Sequence, residues 1–343
     1  MQIKIDQVCI TNLTQIHRKM NSKVSIVMYH YVRDLENSNF PKIKGLDTTL
    51  FKEQIAYFKR NYSIIKMEEL IYAIDNNTSL PPKSMLLTFD DGYIDHYTNV
   101  FPVLIENGIQ GSFFPPVRAV TEHKVLDVNK IHFILASCDN IIDLVEDSFE
   151  LLNRHRDKYN LNSNEFYYNK LAKKTRFDLE GTNFIKRLLQ VELQEDLRSL
   201  IINSLFEKYV GISESSFSRE LYLNIDQIKI MKHFGMHIGS HGFNHYWFNS
   251  LSKEKQDDEV KKSLSFLNAI GVDNDYWTMC YPYGAFNEDT ISVLSENKSK
   301  LALTTRVAVA DFQKENKYSL SRLDTNDLPK KEFSLKNEWY LKG

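Results

Sequence analysis

The run SMLLTFDDG, Ser84 to Gly92, leads from Pro81 and Pro82 through an apolar stretch directly into two adjacent aspartates and a glycine. The apolar part reads as a buried strand, with the acidic pair at its C-terminal end. Two charged carboxylates at the end of a buried segment are costly, so the fold must bring something that neutralises them. Upstream, KVSIVMYHYV (Lys23 to Val32) is a second β-branched strand with His30 near its end. Between them, TTLFKEQIAYFKRN reads as an amphipathic helix capped by Thr48 or Thr49, with Leu50, Ile55 and Phe58 on its apolar face. MEELIYAIDNN is a second, shorter helix, HYTNVFPVLIENG a helix closed by Asn107 and Gly108, and QGSFFPP the next strand. Strand, helix, strand in succession implies a parallel α/β architecture.

From about Val117 to Leu221 the rhythm stops. Stretches such as NIIDLVEDSFELLNRH and TNFIKRLLQVELQEDLRSLIINSLFEKYVG carry helical periodicity and no strand alternation. The expectation is a helical insertion over 117–220, acting as a lid or a small second domain. The βα pattern then resumes: NIDQIKIMKHFG as a helix capped by Gly235, MHIGSHGFNH as strand into loop, KEKQDDEVKKSLSFLNAIG as helix, WTMCYPYG as strand into loop, EDTISVLSENK as helix and LALTT as strand. The expected domain is therefore discontinuous, 23–116 and 221–326, with terminal extensions over 1–22 and 327–343.

Composition narrows the function classes. A net charge of −2 over 343 residues offers no electrostatic footprint for nucleic acid or an anionic membrane. No apolar run approaches the roughly 18 residues of a membrane span. The N-terminus lacks the charged, apolar, small-residue order of a secretion signal, so a cytoplasmic protein is expected. Cys9, Cys138 and Cys280 form no CxxC pair, so a metal site would have to come from His, Asp and Glu.

In parallel α/β folds the working side chains sit at the C-terminal strand ends. By that rule one rim collects His30, the pair Asp90 and Asp91, His241 and His245 from SHGFNH, and Tyr281 and Tyr283 from CYPYG. Two imidazoles and one carboxylate suit a divalent metal and leave positions open for water and substrate. One aspartate would bind the ion while its neighbour stays free as a general base, the machinery for hydrolysing an amide or ester. Singly, each element has a bland reading: a turn, a helix cap, surface histidines, a packed cysteine. His96 reads as a surface or packing residue, His237 as a core residue and His132 as structural.

At these residues the chain resembles the polysaccharide deacetylases of carbohydrate esterase family 4, the NodB-homology domain. TFDDG looks like the first motif, SHGFNH like the His-x3-His second motif, and CYPYG is similar to the Arg-Pro-Pro-Tyr-Gly third. The resemblance implies a distorted (β/α) barrel and metal-dependent removal of N-acetyl groups from amino sugars. It implies Asp90 as base, Asp91, His241 and His245 as metal ligands, and the backbone N–H of Tyr283 as oxyanion donor. The implied ion is zinc, with cobalt, nickel or manganese as alternatives. Three departures stand out: the third-motif arginine falls at Cys280, the Asp-rich fourth motif is not recognisable, and no histidine follows His245 to supply the usual general acid. A related branch, the deacetylases of biofilm poly-N-acetylglucosamine, carries that acid near the N-terminus, and VMYHYV with His30 fits that arrangement. Arg322, in SLSRLD, is the candidate replacement for the missing arginine.

The function expected is an N-deacetylase acting on a nucleotide-linked, lipid-linked or oligomeric N-acetylated sugar in surface glycan biosynthesis. Alternatives are a metal-dependent amidase or imidase on a non-sugar substrate, and a non-catalytic carbohydrate-binding protein. Nothing in the sequence sets the oligomeric state.

Overall fold

The computed structural model describes residues 20–175 and 178–343. Most of the expected extension over 1–22, including Cys9, lies outside them.

The strands β1 (Lys23–Tyr29), β2 (Ser84–Asp90), β3 (Ser112–Phe114), β4 (His237–Ile238), β5 (Met279–Cys280), β6 (Ala302–Val307) and β7 (Leu320–Asp324) form one curled parallel sheet in the order β4-β3-β2-β1-β7-β6-β5. Its two edges meet through one parallel bridge between Ser240 and Met279. There the Ser240 N–H donates to Thr278 O and the Cys280 N–H to Ser240 O, each at 2.9 Å. The distorted barrel is thereby closed, with its C-terminal strand ends on one rim. β1 and β2 lie at its centre, paired from Val24–Ser84 to Tyr29–Phe89, and every residue of β2 is buried. That explains why β2 reads as an unbroken apolar run: it has neighbours on both edges and packing on both faces.

Helices α1 (Thr48–Asn61), α2 (Met67–Asn76) and α3 (Phe101–Glu106) follow the first strands. The expected cap of α1 is corrected: Asp47 is the N-cap, and its side chain accepts from the Thr49 N–H at 2.8 Å. A carboxylate there also suits the positive end of the helix. The single helix expected around HYTNVFPVLIENG divides into a π-helical turn, His96–Val100, and α3. Pro102 has no N–H for the regular ladder, which favours the wider turn before it.

Residues 117–221 carry helices α4 (Val117–Thr121), α5 (Asp127–Ser137), α6 (Ile141–Tyr159), α7 (Asn164–Leu171), α8 (Glu180–Arg187), α9 (Glu195–Tyr209) and α10 (Glu214–Leu221), with no strand among the described residues. They bury an apolar core of their own, including Leu144, Phe184, Leu188, Leu197 and Ile201. Each fully buried large apolar side chain contributes about 1.5–3 kcal/mol, so this cluster is a substantial part of what holds the helices together. Tyr31 and Tyr93 from the barrel rim pack into the same cluster, so the helices are seated on the rim.

The chain returns to the barrel through α11 (Ile225–His233), α12 (Lys253–Ala269) and α13 (Glu288–Glu296). Phe234, rather than Gly235, occupies the C-cap of α11, and Gly235 follows it at φ +86°. The last helix, α14 (Glu338–Lys342), covers the opposite end of the barrel, where Lys83 Nζ donates to Tyr340 O at 2.7 Å. Among the described residues no helix is long and apolar enough to cross a membrane.

Candidate metal centre and active site

β2 delivers both aspartates to the rim and then turns sharply. Asp91 has φ +70° and Gly92 φ +64°. A Cβ on Gly92 would lie 2.7 Å from Pro115 Cβ, so the turn after β3 leaves room only for glycine. The two carboxylates meet different partners, Asp91 the two histidines and Asp90 the guanidinium of Arg322. His245 (φ +62°) and Tyr283 (φ +58°) are held in the same uncommon region. Such strain persists only where surrounding structure over-determines it, and here three instances gather at one rim.

Asp91 Oδ1 lies 3.3 Å from His241 Nε2 and 3.2 Å from His245 Nε2. One ligand atom from each of the three buried residues lies within 4.8 Å of the others. Asp91 Oδ1 is itself buried without a hydrogen-bond partner, an oxygen facing two imidazole nitrogens. His241 Nδ1 contacts Cys280 O at 2.7 Å. A carbonyl can only accept, so Nδ1 carries the proton and Nε2 presents its lone pair to the centre. The donor set, its convergence and the orphaned oxygen all fit a divalent cation.

Charge points the same way. Asp90 and Asp91 are two buried carboxylates, and the buried guanidinium beside them, Arg322, balances only one. Burial pulls His241 down, but Asp91 and Asp90 push it above its ordinary value. Burial takes His245 below its ordinary value, so the two buried carboxylates and one guanidinium leave a negative charge that a divalent cation would balance, an answer to the cost that the Asp-Asp pair poses.

Asp90 is held differently. Arg322 Nη1 donates to Asp90 Oδ1 at 2.9 Å, and Nη2 lies 2.8 Å from Oδ2. Nε of Arg322 donates to Thr304 O at 2.7 Å and Nη1 also reaches Thr88 Oγ1 at 3.2 Å, locking the fork in place. Burial alone would raise the Asp90 pKa; Arg322, helped by His241, holds it down to about 2. Cys280 Sγ sits 3.3 Å from Asp90 Oδ2, and burial keeps its thiol well above the ordinary range, consistent with a packed residue. The expected replacement of the third-motif arginine therefore has its contact: Arg322 reaches Asp90 from β7, past the small side chain at position 280.

His30 follows β1 directly, and continuing the Tyr29–Phe89 pairing by one step sets it opposite Asp90. A charge on it contributes to lowering both Asp90 and Asp91. His96 is buried and donates through Nε2 to the His30 carbonyl at 2.9 Å, so it braces the loop that carries His30. His237 is also buried, bonded to Thr278 Oγ1 at 2.8 Å. The Tyr283 ring meets His245 edge-on at 4.8 Å between centroids and stacks on Trp247 at 4.2 Å. These rings border a cavity of about 560 Å³ whose far wall is built from the helical segment, including Lys130, Leu189 and Arg198.

Two supports were not picked out in the sequence. Glu259 in α12 is buried, and its Oε2 accepts from the Phe243 and Asn244 N–H groups at 3.0 and 2.8 Å, fixing the loop between the two histidines. On the opposite side, α4 donates Val117 and Arg118 N–H groups to the carbonyls of Gly242 and Phe243. A signal for Glu259 existed: with Gln256, Val260, Ser263, Phe266 and Leu267 it follows the i, i+3, i+4 stripe of the buried helix face.

A parallel barrel whose rim joins an Asp-His-His donor set to an arginine-clamped carboxylate defines a hydrolase-type centre on an α/β scaffold. The chain belongs to the polysaccharide deacetylase family: the family model matches residues 77–153 and 201–302, just over half of the chain. The matched segments enter the helical region from both sides. The chain is similar to the poly-beta-1,6-N-acetyl-D-glucosamine N-deacetylase of Escherichia coli K12, 32% identical over 85 residues, which are 24% of this chain and 12% of that protein. It thus spans only a small part of that relative. The fold is similar to the Streptococcus pyogenes deacetylase PplD, solved with acetate (TM-score 0.52, 19% identity, 88% of this chain and 92% of that one). It is also similar to IcaB from Ammonifex degensii (TM-score 0.53, 16% identity, 89% and 93%).

Proposed function

We propose that the protein removes N-acetyl groups from an amino sugar in surface glycan biosynthesis, using one divalent ion held by Asp91, His241 and His245. The observation that carries this is the buried triad set beside a separate carboxylate, Asp90, that is kept ionised by Arg322. When bound, the ion would lower the pKa of a water towards about 7 and polarise the acetamide carbonyl. Zinc is the ion we favour, since two imidazoles and a carboxylate with open positions are a common zinc donor set.

Asp90, ionised at neutral pH, accepts the proton of the attacking water. Arg322 keeps that carboxylate oriented and stops it from binding the cation in place of Asp91. The backbone N–H of Tyr283 would serve as donor to the developing oxyanion. His30, across from Asp90, delivers a proton to the leaving amine, which departs poorly without one. Support for a sugar substrate comes from the family and from the Trp247–Tyr283 ring pair beside the centre, since flat rings suit the apolar faces of pyranoses.

Acetate release should be measured over N-acetylated oligosaccharides, nucleotide sugars and lipid-linked sugars, with cyclic imides and aryl amides alongside. Release confined to N-acetyl sugars and abolished by chelation supports the reading. Turnover of imides alone replaces it with an amidase, and sugar binding without turnover replaces it with a binding protein.

A further inference from the structure

The metal ligand Asp91 uses its second oxygen for a bond that leads out of the barrel. Tyr93 donates its hydroxyl proton to Asp91 Oδ2 at 2.5 Å. Having spent its only proton, the Tyr93 oxygen can only accept, and Asn129 Nδ2, from α5 of the helical segment, donates to it at 2.7 Å. The same amide donates to the Tyr31 oxygen at 3.1 Å. Asn129 Oδ1 accepts the Tyr222 hydroxyl. Tyr222 in turn accepts the backbone N–H of Leu126 at 3.0 Å, at the N-cap of α5. Each proton in this chain has one available direction, from a fixed backbone N–H to the carboxylate of a metal ligand. Asn129, Tyr31, Tyr93 and Tyr222 are all buried, so each depends on its partners in the chain rather than on bulk solvent. The Leu223 N–H also donates to Gly92 O at 2.8 Å, tying the exit of the helical segment to the aspartate turn.

We infer that Asn129 is a positioning residue of the metal centre, and that the helical segment sets the strength of metal binding. The inference rests on the proposed metal reading of Asp91, His241 and His245. Its logic is that of an outer hydrogen-bonding shell, which fixes a ligand's orientation and is worth roughly 10–100-fold in metal affinity. With Tyr93 oriented by Asn129, Asp91 keeps Oδ2 engaged and offers Oδ1 alone to the cation. Without Asn129, the Tyr93 hydroxyl loses the donor that specifies its direction, and the carboxylate gains freedom to rotate.

The test is titration of the metal-stripped full chain with Zn²⁺ against a competing chelator, for wild type, Asn129→Leu, Tyr93→Phe and the double variant. Leu197→Ala serves as a control that loosens the same helical core away from the chain of bonds. Wild type should bind one equivalent; failure to do so overturns the metal reading and the inference with it. Given that, Asn129→Leu should weaken Zn²⁺ roughly tenfold, and the double variant should bind no more weakly than Tyr93→Phe alone. Leu197→Ala should lower the melting temperature and leave the Zn²⁺ affinity unchanged. If Asn129→Leu fails to fold, Tyr222→Phe, which removes the donor that orients the amide together with the acceptor of the Leu126 N–H, should still weaken Zn²⁺ several-fold. Unchanged affinity in Asn129→Leu, or in Tyr222→Phe where it stands in, refutes the inference. So do losses from Asn129→Leu and Tyr93→Phe that simply multiply in the double variant.

Discussion

Arg322→Met removes the cation from a pair whose members are both almost wholly buried, 1% exposed each. Deleting one partner of such a pair strands the other charge, at a typical cost of about 3–5 kcal/mol. Linkage gives a second estimate: holding Asp90 at about 2 against an ordinary 3.8 corresponds to about 2 kcal/mol. The expected loss at neutral pH is therefore about 2–5 kcal/mol. Its pH dependence has a definite sign. In wild type the unfolded chain binds more protons between about pH 2 and 3.8, so the contribution is present above that window and lost as pH falls through it. In the variant, burial, the largest single influence on Asp90, is opposed only by His241 and His30 and pushes it above its ordinary value, so the native state binds the extra proton. Stability then falls as pH rises through the raised pKa, and the gap from wild type widens from about pH 4 to about pH 7. Urea unfolding of the metal-free proteins at both pH values measures it. Asp90→Asn combined with Arg322→Met should be more stable than Arg322→Met alone, because the stranded charge is gone. A loss under about 1 kcal/mol, or a gap that does not change with pH, would refute the reasoning.

The two aspartates should separate: Asp90→Asn keeps Zn²⁺ and loses on the order of 10²–10⁴ in rate, whereas Asp91→Asn loses the ion, as metal analysis and acetate release would read out. His30→Ala should keep the ion and lose most activity on an N-acetyl sugar, but much less on an aryl acetate whose phenolate leaves unprotonated; equal losses would remove His30 from the acid role. Trp247→Ala should raise KM for an oligosaccharide about 2–10-fold, the worth of one aromatic contact, with Zn²⁺ affinity unchanged.

The rim was legible because its residues close short local patterns: Asp90 and Asp91 end an apolar run, and His241 and His245 sit in one loop. Even Arg322 could be nominated, because the gap at Cys280 asked for a cation from elsewhere. What stayed hidden was tertiary. Glu259 sits in KEKQDDEVKKS, where one acid among many charges looks solvated; its place on the helical stripe marks the buried face, but the two backbone amides it binds are visible only in the packing. Asn129 lies 36 residues from Tyr93 and 93 from Tyr222, separations at which no spacing rule operates. The two threonines after Asp47 read as the more natural caps, yet it is the Asp47 carboxylate that reaches the Thr49 N–H. The π-helical turn at His96 arises from one proline six residues on, whose effect on the preceding turn has no signature of its own.

The account turns on a single ion at Asp91, His241 and His245, with Asp90 outside its coordination. Anomalous diffraction at the zinc edge, from crystals grown with one equivalent of Zn²⁺, tests this directly. The account predicts one strong peak at roughly 2.0–2.2 Å from Asp91 Oδ1 and the Nε2 atoms of both histidines, with Asp90 still paired to Arg322. A peak ligated by Asp90 instead of Asp91, or no peak at the triad in zinc-replete crystals, would contradict it.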